Sequence, residues 1–165
     1  LHQQARNRQL PPRRHGDAGM STDRELLELA AKASGRDGDW VDFAGMDIRV
    51  GYQGGLLCGD ADGYYWNPLK DDGDALRLAV ALNIEYEFQS SCIVVAKVSR
   101  IGGSIFDKKH SATVDYVPEE MFASSYRPDI SHANYLVSTG MIRGKAPAVR
   151  LAIVRAAAEV GRAMP

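Results

Sequence analysis

Asp71, Asp72 and Asp74 fall within four positions and are the densest set of reactive groups in the chain. Three carboxylates so close could share a proton in acid–base work or hold a magnesium ion. The same trio also stands just before an apolar run, where carboxylates cap a helix and favour its positive end. We adopt the capping reading. Trp66-Asn67-Pro68 lies a few residues upstream. It could supply an aromatic wall and an amide to a pocket, or a Trp that anchors a loop while Asn67 bonds local backbone. The second reading is preferred. Trp66, Asn67, Asp71 and Asp72 are kept as an alternative small-ligand or enzyme pocket.

The remaining chemistry-bearing residues form no constellation. Asp60-Ala61-Asp62-Gly63 opens like a calcium loop, but Tyr65 stands at the sixth position, where the loop needs Gly. His110 and His132 are isolated from other ligand types, and His2 and His15 sit in an N-terminal tail. Cys58 follows Leu56-Leu57 and Cys92 precedes Ile93-Val94-Val95, so both read as small buried hydrophobes. No G-x-S-x-G, G-x-G-x-x-G or phosphate-binding loop occurs. We assign no catalytic residue, no metal and no cofactor, and the balance favours a protein that is not an enzyme.

These residues need elements to hold them. The chain has 165 residues, 45% hydrophobic and 25% charged, the profile of one globular domain. No apolar run reaches the length of a membrane span. Residues 1–19 hold four of the 20 cations (Arg6, Arg8, Arg13, Arg14) and one of the 21 anions (Asp17), so the remainder carries −4. That argues against a nucleic-acid binder. Residues 1–19 contain only Leu1 and Leu10 as large apolar residues and include Pro11-Pro12. They read as a disordered or non-native extension, with Met20 as the start and 20–165 as a single domain.

Thr22 and Glu25 form a capping box, and Leu26, Leu27, Leu29, Ala30 and Ala33 make an apolar stripe until Gly35. A first helix is expected over about 23–34. Met46 to Tyr52 alternates and turns at Gln53-Gly54-Gly55 into Leu56-Leu57-Cys58, a hairpin. Trp40 to Phe43 could add a short strand. The run Ala75–Leu82 carries only Arg77 as a charge, so a helix here should be buried on more than one side, with Asn83 as its C-terminal cap. Ile84–Phe88 and Cys92–Ser99 make a second hairpin. Residues 100–140 read as a variable insertion, with Ser111–Val117 a possible strand and Pro118–Phe122 a possible short helix. The last helix, about 146–163, shows Val149, Ile153, Ala156, Ala157, Val160 and Met164 on one face. The expected fold is α+β: an α/β/α-type layered sandwich, with a mixed or antiparallel sheet built from hairpins and about three helices.

Three segments look familiar: Leu26–Ala33, Trp66–Leu69 with Asp71–Val80, and Ala152–Arg162. They resemble small phage and prophage proteins carrying the phage ABA-sandwich domain, and more distantly NinX-type phage proteins. The resemblance covers about 20–99 and 145–163. It implies a sheet between helix layers and a phage accessory protein in the cytoplasm of a bacterial host. It implies no reaction and carries no site residue. An accessory protein of this kind would bind a host or phage protein. Aromatic and Arg anchors on irregular segments dominate such contacts, so Tyr116, Phe122, Tyr126, Arg127 and Tyr135 are the candidate partner-binding residues.

Overall fold

The computed structural model describes residues 22–42, 54–59, 63–98, 110–123 and 127–165. Residues 1–19, the expected strand over 46–52 and Asp60-Ala61-Asp62 of the calcium-loop-like stretch lie outside the described residues.

The first helix, α1 (Asp23–Ala33), starts where Thr22 accepts a hydrogen bond from the Glu25 amide at 3.2 Å. It ends before Gly35, whose φ of +67° suits glycine. Its buried residues are Leu26, Leu27, Ala30 and Ala31. β1 (Gly38–Val41), β2 (Gly55–Cys58) and β3 (Tyr64–Trp66) form an antiparallel sheet in that order. β2 therefore pairs with the short strand around Trp40 and with the strand ending at Trp66.

α2 (Asp72–Ala81) is capped by Asp71, and Asn83 follows it in the left-handed region at φ 50°. β4 (Ile84–Ser90), β5 (Ile93–Val98), β6 (Ser111–Val117) and β7 (Ile142–Arg143) make the second sheet, in chain order. β4–β5–β6 is antiparallel and β6–β7 parallel, so the sheet is mixed. α3 (Glu120–Ala123) and α4 (Arg127–Ser138) separate β6 from β7. α5 (Lys145–Ala163) closes the chain.

The layers follow from side-chain alternation. Val94, Ala96, Val114 and Tyr116 turn one face of the second sheet toward α5 and are buried with it in one core. Val117 points to the opposite face, where α4 packs on β6, and both Val117 and Ala133 of α4 are fully buried. α1 and α2 cover the other side of α5. The α+β class and the mixed sheet agree with the sequence reading.

Several expectations are corrected. Five helices and two sheets stand among the described residues, against about three helices and one sheet expected. α5 is not amphipathic in the simple sense. Ala148, Ala152, Ile153, Val154, Ala156, Ala157, Ala158, Val160 and Gly161 are all buried, because the helix lies between a sheet and two helices. α2 shows the reverse: it buries Ala75, Leu78 and Ala79 but leaves Leu76 62% and Val80 73% exposed. β6 is an internal strand of the sheet, so part of 100–140 belongs to the core. α4 fills a stretch whose periodicity was too weak to predict a helix.

Burial also sets an alkaline limit. It pushes the Cys58 thiol above its ordinary 9.0, and the Tyr65 and Tyr116 hydroxyls above their ordinary 10.0. Groups whose pKa is raised by folding stabilise the fold below their unfolded values and lose that contribution as pH rises through the folded ones. The melting temperature is expected to hold up to about pH 9 and to fall beyond it. A thermal melt series from neutral to strongly alkaline pH checks this. A melting temperature that rises above pH 9 would contradict it.

Candidate functional site

The turn from β3 into α2 gathers Trp66, Asn67, Asp71, Asp72 and Asp74. Trp66 is fully buried, and its indole Nε1 has no hydrogen-bond partner among the described residues. Asn67, 5% exposed, uses both ends of its amide. Nδ2 donates to the Gly54 carbonyl at 2.6 Å, and Oδ1 accepts from the Leu69 amide at 3.1 Å. The second contact is the local turn that short amides favour.

Asp74 is the buried carboxylate of the trio, at 3% exposed. Its Oδ2 accepts from the Asn67 backbone amide at 2.8 Å, and its Oδ1 from Arg77 Nη2 at 2.8 Å. The hydrogen bond to Asp74 holds the Arg77 guanidinium even more firmly protonated than usual. Asp71 Oδ1 accepts from the Asp74 amide at 2.8 Å and so caps α2. Asp72 is exposed and pairs with Arg150 of α5, whose Nε donates to the Leu69 carbonyl at 3.0 Å. The arrangement is a brace. It ties β3, the turn, α2 and α5 together with charge-assisted hydrogen bonds, each stronger than a neutral one. Both oxygens of Asp74 are engaged, Trp66 presents no accessible surface and Asn67 is buried.

The aromatic candidates are scattered by the fold. Tyr116 is 2% exposed and packs edge-on against Phe88 at 6.3 Å, so it is corrected from a free anchor to a core residue. Its place on β6 explains this, since it points toward α5 with Val114. Phe122 is half-buried on α3, with the Arg143 guanidinium 4.2 Å from its ring centre. Tyr126 lies outside the described residues, and Arg127 is the first residue of α4. Tyr135 is 63% exposed on α4 and stacks on His132, with ring centres 6.5 Å apart. α3 and α4 pack together, so Phe122 and Tyr135 belong to one unit.

Beside that unit is an open concavity of about 540 Å³ between the β4–β5 turn and the start of α5. Ser90, Tyr116, Glu119, Glu120 and Lys145 line it. Lys145 lies 4.2 Å from the Phe88 ring centre. Gly144 provides no side-chain cap for α5, but the Glu119 carboxylate lies against it and places a negative charge near the helix start. Two acidic side chains and one lysine make the concavity mixed in charge. No group of three or more metal-ligand side chains occurs among the described residues. No helix among them is long and apolar enough to cross a membrane.

Reasoning from sequence passed over Phe88, Tyr86, Leu76 and Val80 as surface residues. The signal available was the apolar run of α2, whose expected second buried side is not found among the described residues. Compared with known protein families, curated proteins and solved structures, the chain matches none.

Proposed function

We propose that the protein works by binding another protein, through the surface of α3 and α4, as an accessory factor of phage or prophage origin. The phage origin rests on the resemblance of Leu26–Ala33, Trp66–Leu69 with Asp71–Val80, and Ala152–Arg162 alone. The observation that supports binding is Tyr135, a large aromatic left 63% exposed and stacked on His132 on a helix at the margin of the core. Exposed, rigid aromatic side chains are favoured as interface anchors because they bury much area for few lost rotamers. The cytoplasm of a bacterial host is the location this reading carries.

The competing reading is a small enzyme or small-ligand binder at Trp66, Asn67, Asp71 and Asp72. It is weakened by the engagement of those groups in the brace.

A partner captured on the immobilised full chain decides between the two. Tyr135→Ala with His132→Ala should weaken binding at least about tenfold, since an interface anchor contributes about 2 kcal/mol or more. Asp71→Asn with Asp72→Asn should leave it intact, because Asn still caps a helix. If only the carboxylate pair abolishes function while the fold melts normally, the binding reading fails.

A further inference from the structure

We propose that this chain forms a two-fold dimer, with β4 pairing antiparallel to β4 of a second copy and the two α2 helices lying side by side. β4 is the edge of its sheet and pairs with β5 among the described residues. Its unbonded edge can be read from the ladder. The Val98 amide donates to the His110 carbonyl, and the Tyr116 amide to the Cys92 carbonyl. Even-numbered residues of β5 therefore face β6, and odd-numbered ones face β4. In the β4–β5 register Glu87 pairs with Val95 and Glu85 with Lys97, so these two glutamates carry the bonds inside the sheet. The backbone groups of Ile84, Tyr86 and Phe88 point away from β5, and no strand among the described residues pairs with them.

Two of these residues, Tyr86 and Phe88, also carry exposed apolar surface, whereas Ile84 is buried. Tyr86 is 49% and Phe88 40% exposed, on the α5 side of the sheet, with their rings edge-on at 6.2 Å. α2 packs on β4 and α5, and adds Leu76 and Val80 one turn apart. In the dimer the aromatic strand edge and the aliphatic helix stripe would act together as a two-layer face, and an unprotected strand edge is a template for pairing.

This face fits itself. Of the registers that bring the outward groups together, one centred on Glu87 sets Tyr86 opposite Phe88 of the second copy, twice, and Glu85 opposite Gln89. Only Glu87 meets its like, and Lys97 pairs with Glu87 in each copy. A register centred on Tyr86 would instead set Glu85 against Glu87 twice. A seven-residue strand gives an edge about 24 Å long. Two layers about 20 Å deep then offer roughly 500 Å² per copy, about 1,000 Å² in all, which is the threshold for a specific interface. The dimer should therefore dissociate in the micromolar range.

The surface is separate from α3–α4, so this inference stands or falls independently of the binding reading. Sedimentation equilibrium of the full chain across the micromolar range should show a mass rising from 18.0 kDa toward twice that value. Val80→Glu and Tyr86→Lys should each raise the dissociation constant at least about tenfold with an unchanged circular dichroism melt, and Glu87→Gln should lower it. A monomer throughout, or a dimer indifferent to both disrupting variants, overturns the proposal; an unmoved Glu87→Gln overturns the register. Should a variant fail to fold, amide exchange of the unaltered chain decides. Protection at Tyr86 and Phe88 that grows with concentration supports the pairing, and concentration-independent protection overturns it.

Discussion

Ile153→Asp should leave the chain without a cooperative melt near that of the parent. Ile153 is 3% exposed in the middle of α5, between the second sheet on one side and α1 and α2 on the other. The change removes about 2–3 kcal/mol of apolar burial. It also buries a carboxylate in a core made almost wholly of apolar side chains, which adds several kcal/mol. A domain of this size has about 5–15 kcal/mol in total, so most of its stability is removed. Ile153→Val gives the graded companion, about 0.5–1.5 kcal/mol and a drop of a few degrees in melting temperature. A thermal melt of both variants checks the pair. An Asp variant that melts like the parent would place α5 outside the core.

Local chemistry was legible wherever one residue type decides a local conformation. Thr22, Gly35, the trio Asp71, Asp72 and Asp74, and Asn83 mark helix ends in the sequence and do so in the structure, because capping depends on a few neighbouring atoms. The second hairpin was legible for the same reason: Ile84–Phe88 alternates and Cys92–Ser99 is rich in β-branched residues. The brace was only half legible. That one aspartate of the trio caps α2 shows in the sequence, and the structure makes it Asp71; the tie from Asp74 to the Asn67 amide spans the turn and depends on how β3 meets α2.

Long-range pairing was not legible. β7 has two residues and joins β6 in parallel across two helices, which no hairpin signal announces. Over residues 130–138 of α4 only Ala133 is buried, so its sequence has little reason to show a strong apolar period. The roles of α2 and α5 were exchanged for a related reason. α2 is rich in Leu and Val and looked like the central helix, whereas α5 is rich in Ala and looked one-sided. Alanine contributes little to an apolar stripe, yet it lets helix and sheet backbones approach closely from both sides. The candidate anchors failed to cluster because Tyr116 alternates inward on β6 while Tyr135 faces outward on α4.

Gly161→Ala tests that close approach directly. In an exposed helix interior the change would stabilise by about 0.5–1 kcal/mol, since Ala is the better helix former. Here a Cβ would lie 2.1 Å from the Leu29 carbonyl oxygen and 2.9 Å from the carbonyl carbon. Both are backbone atoms of α1, so no side-chain rotation can relieve the clash. α1 and α5 must separate, which loosens the packing of Leu26, Leu27 and Ala30 and strains the bond from Lys32 Nζ to the Met164 carbonyl at 2.9 Å. Overpacking of this kind costs about 1–3 kcal/mol, enough to outweigh the gain in propensity. The expected result is a lower melting temperature with faster amide exchange in α1, and a larger loss for Gly161→Leu. A higher melting temperature for Gly161→Ala would mean that α1 is not seated against this turn of α5. The packing that makes α5 the centre of the fold would then need to be redrawn.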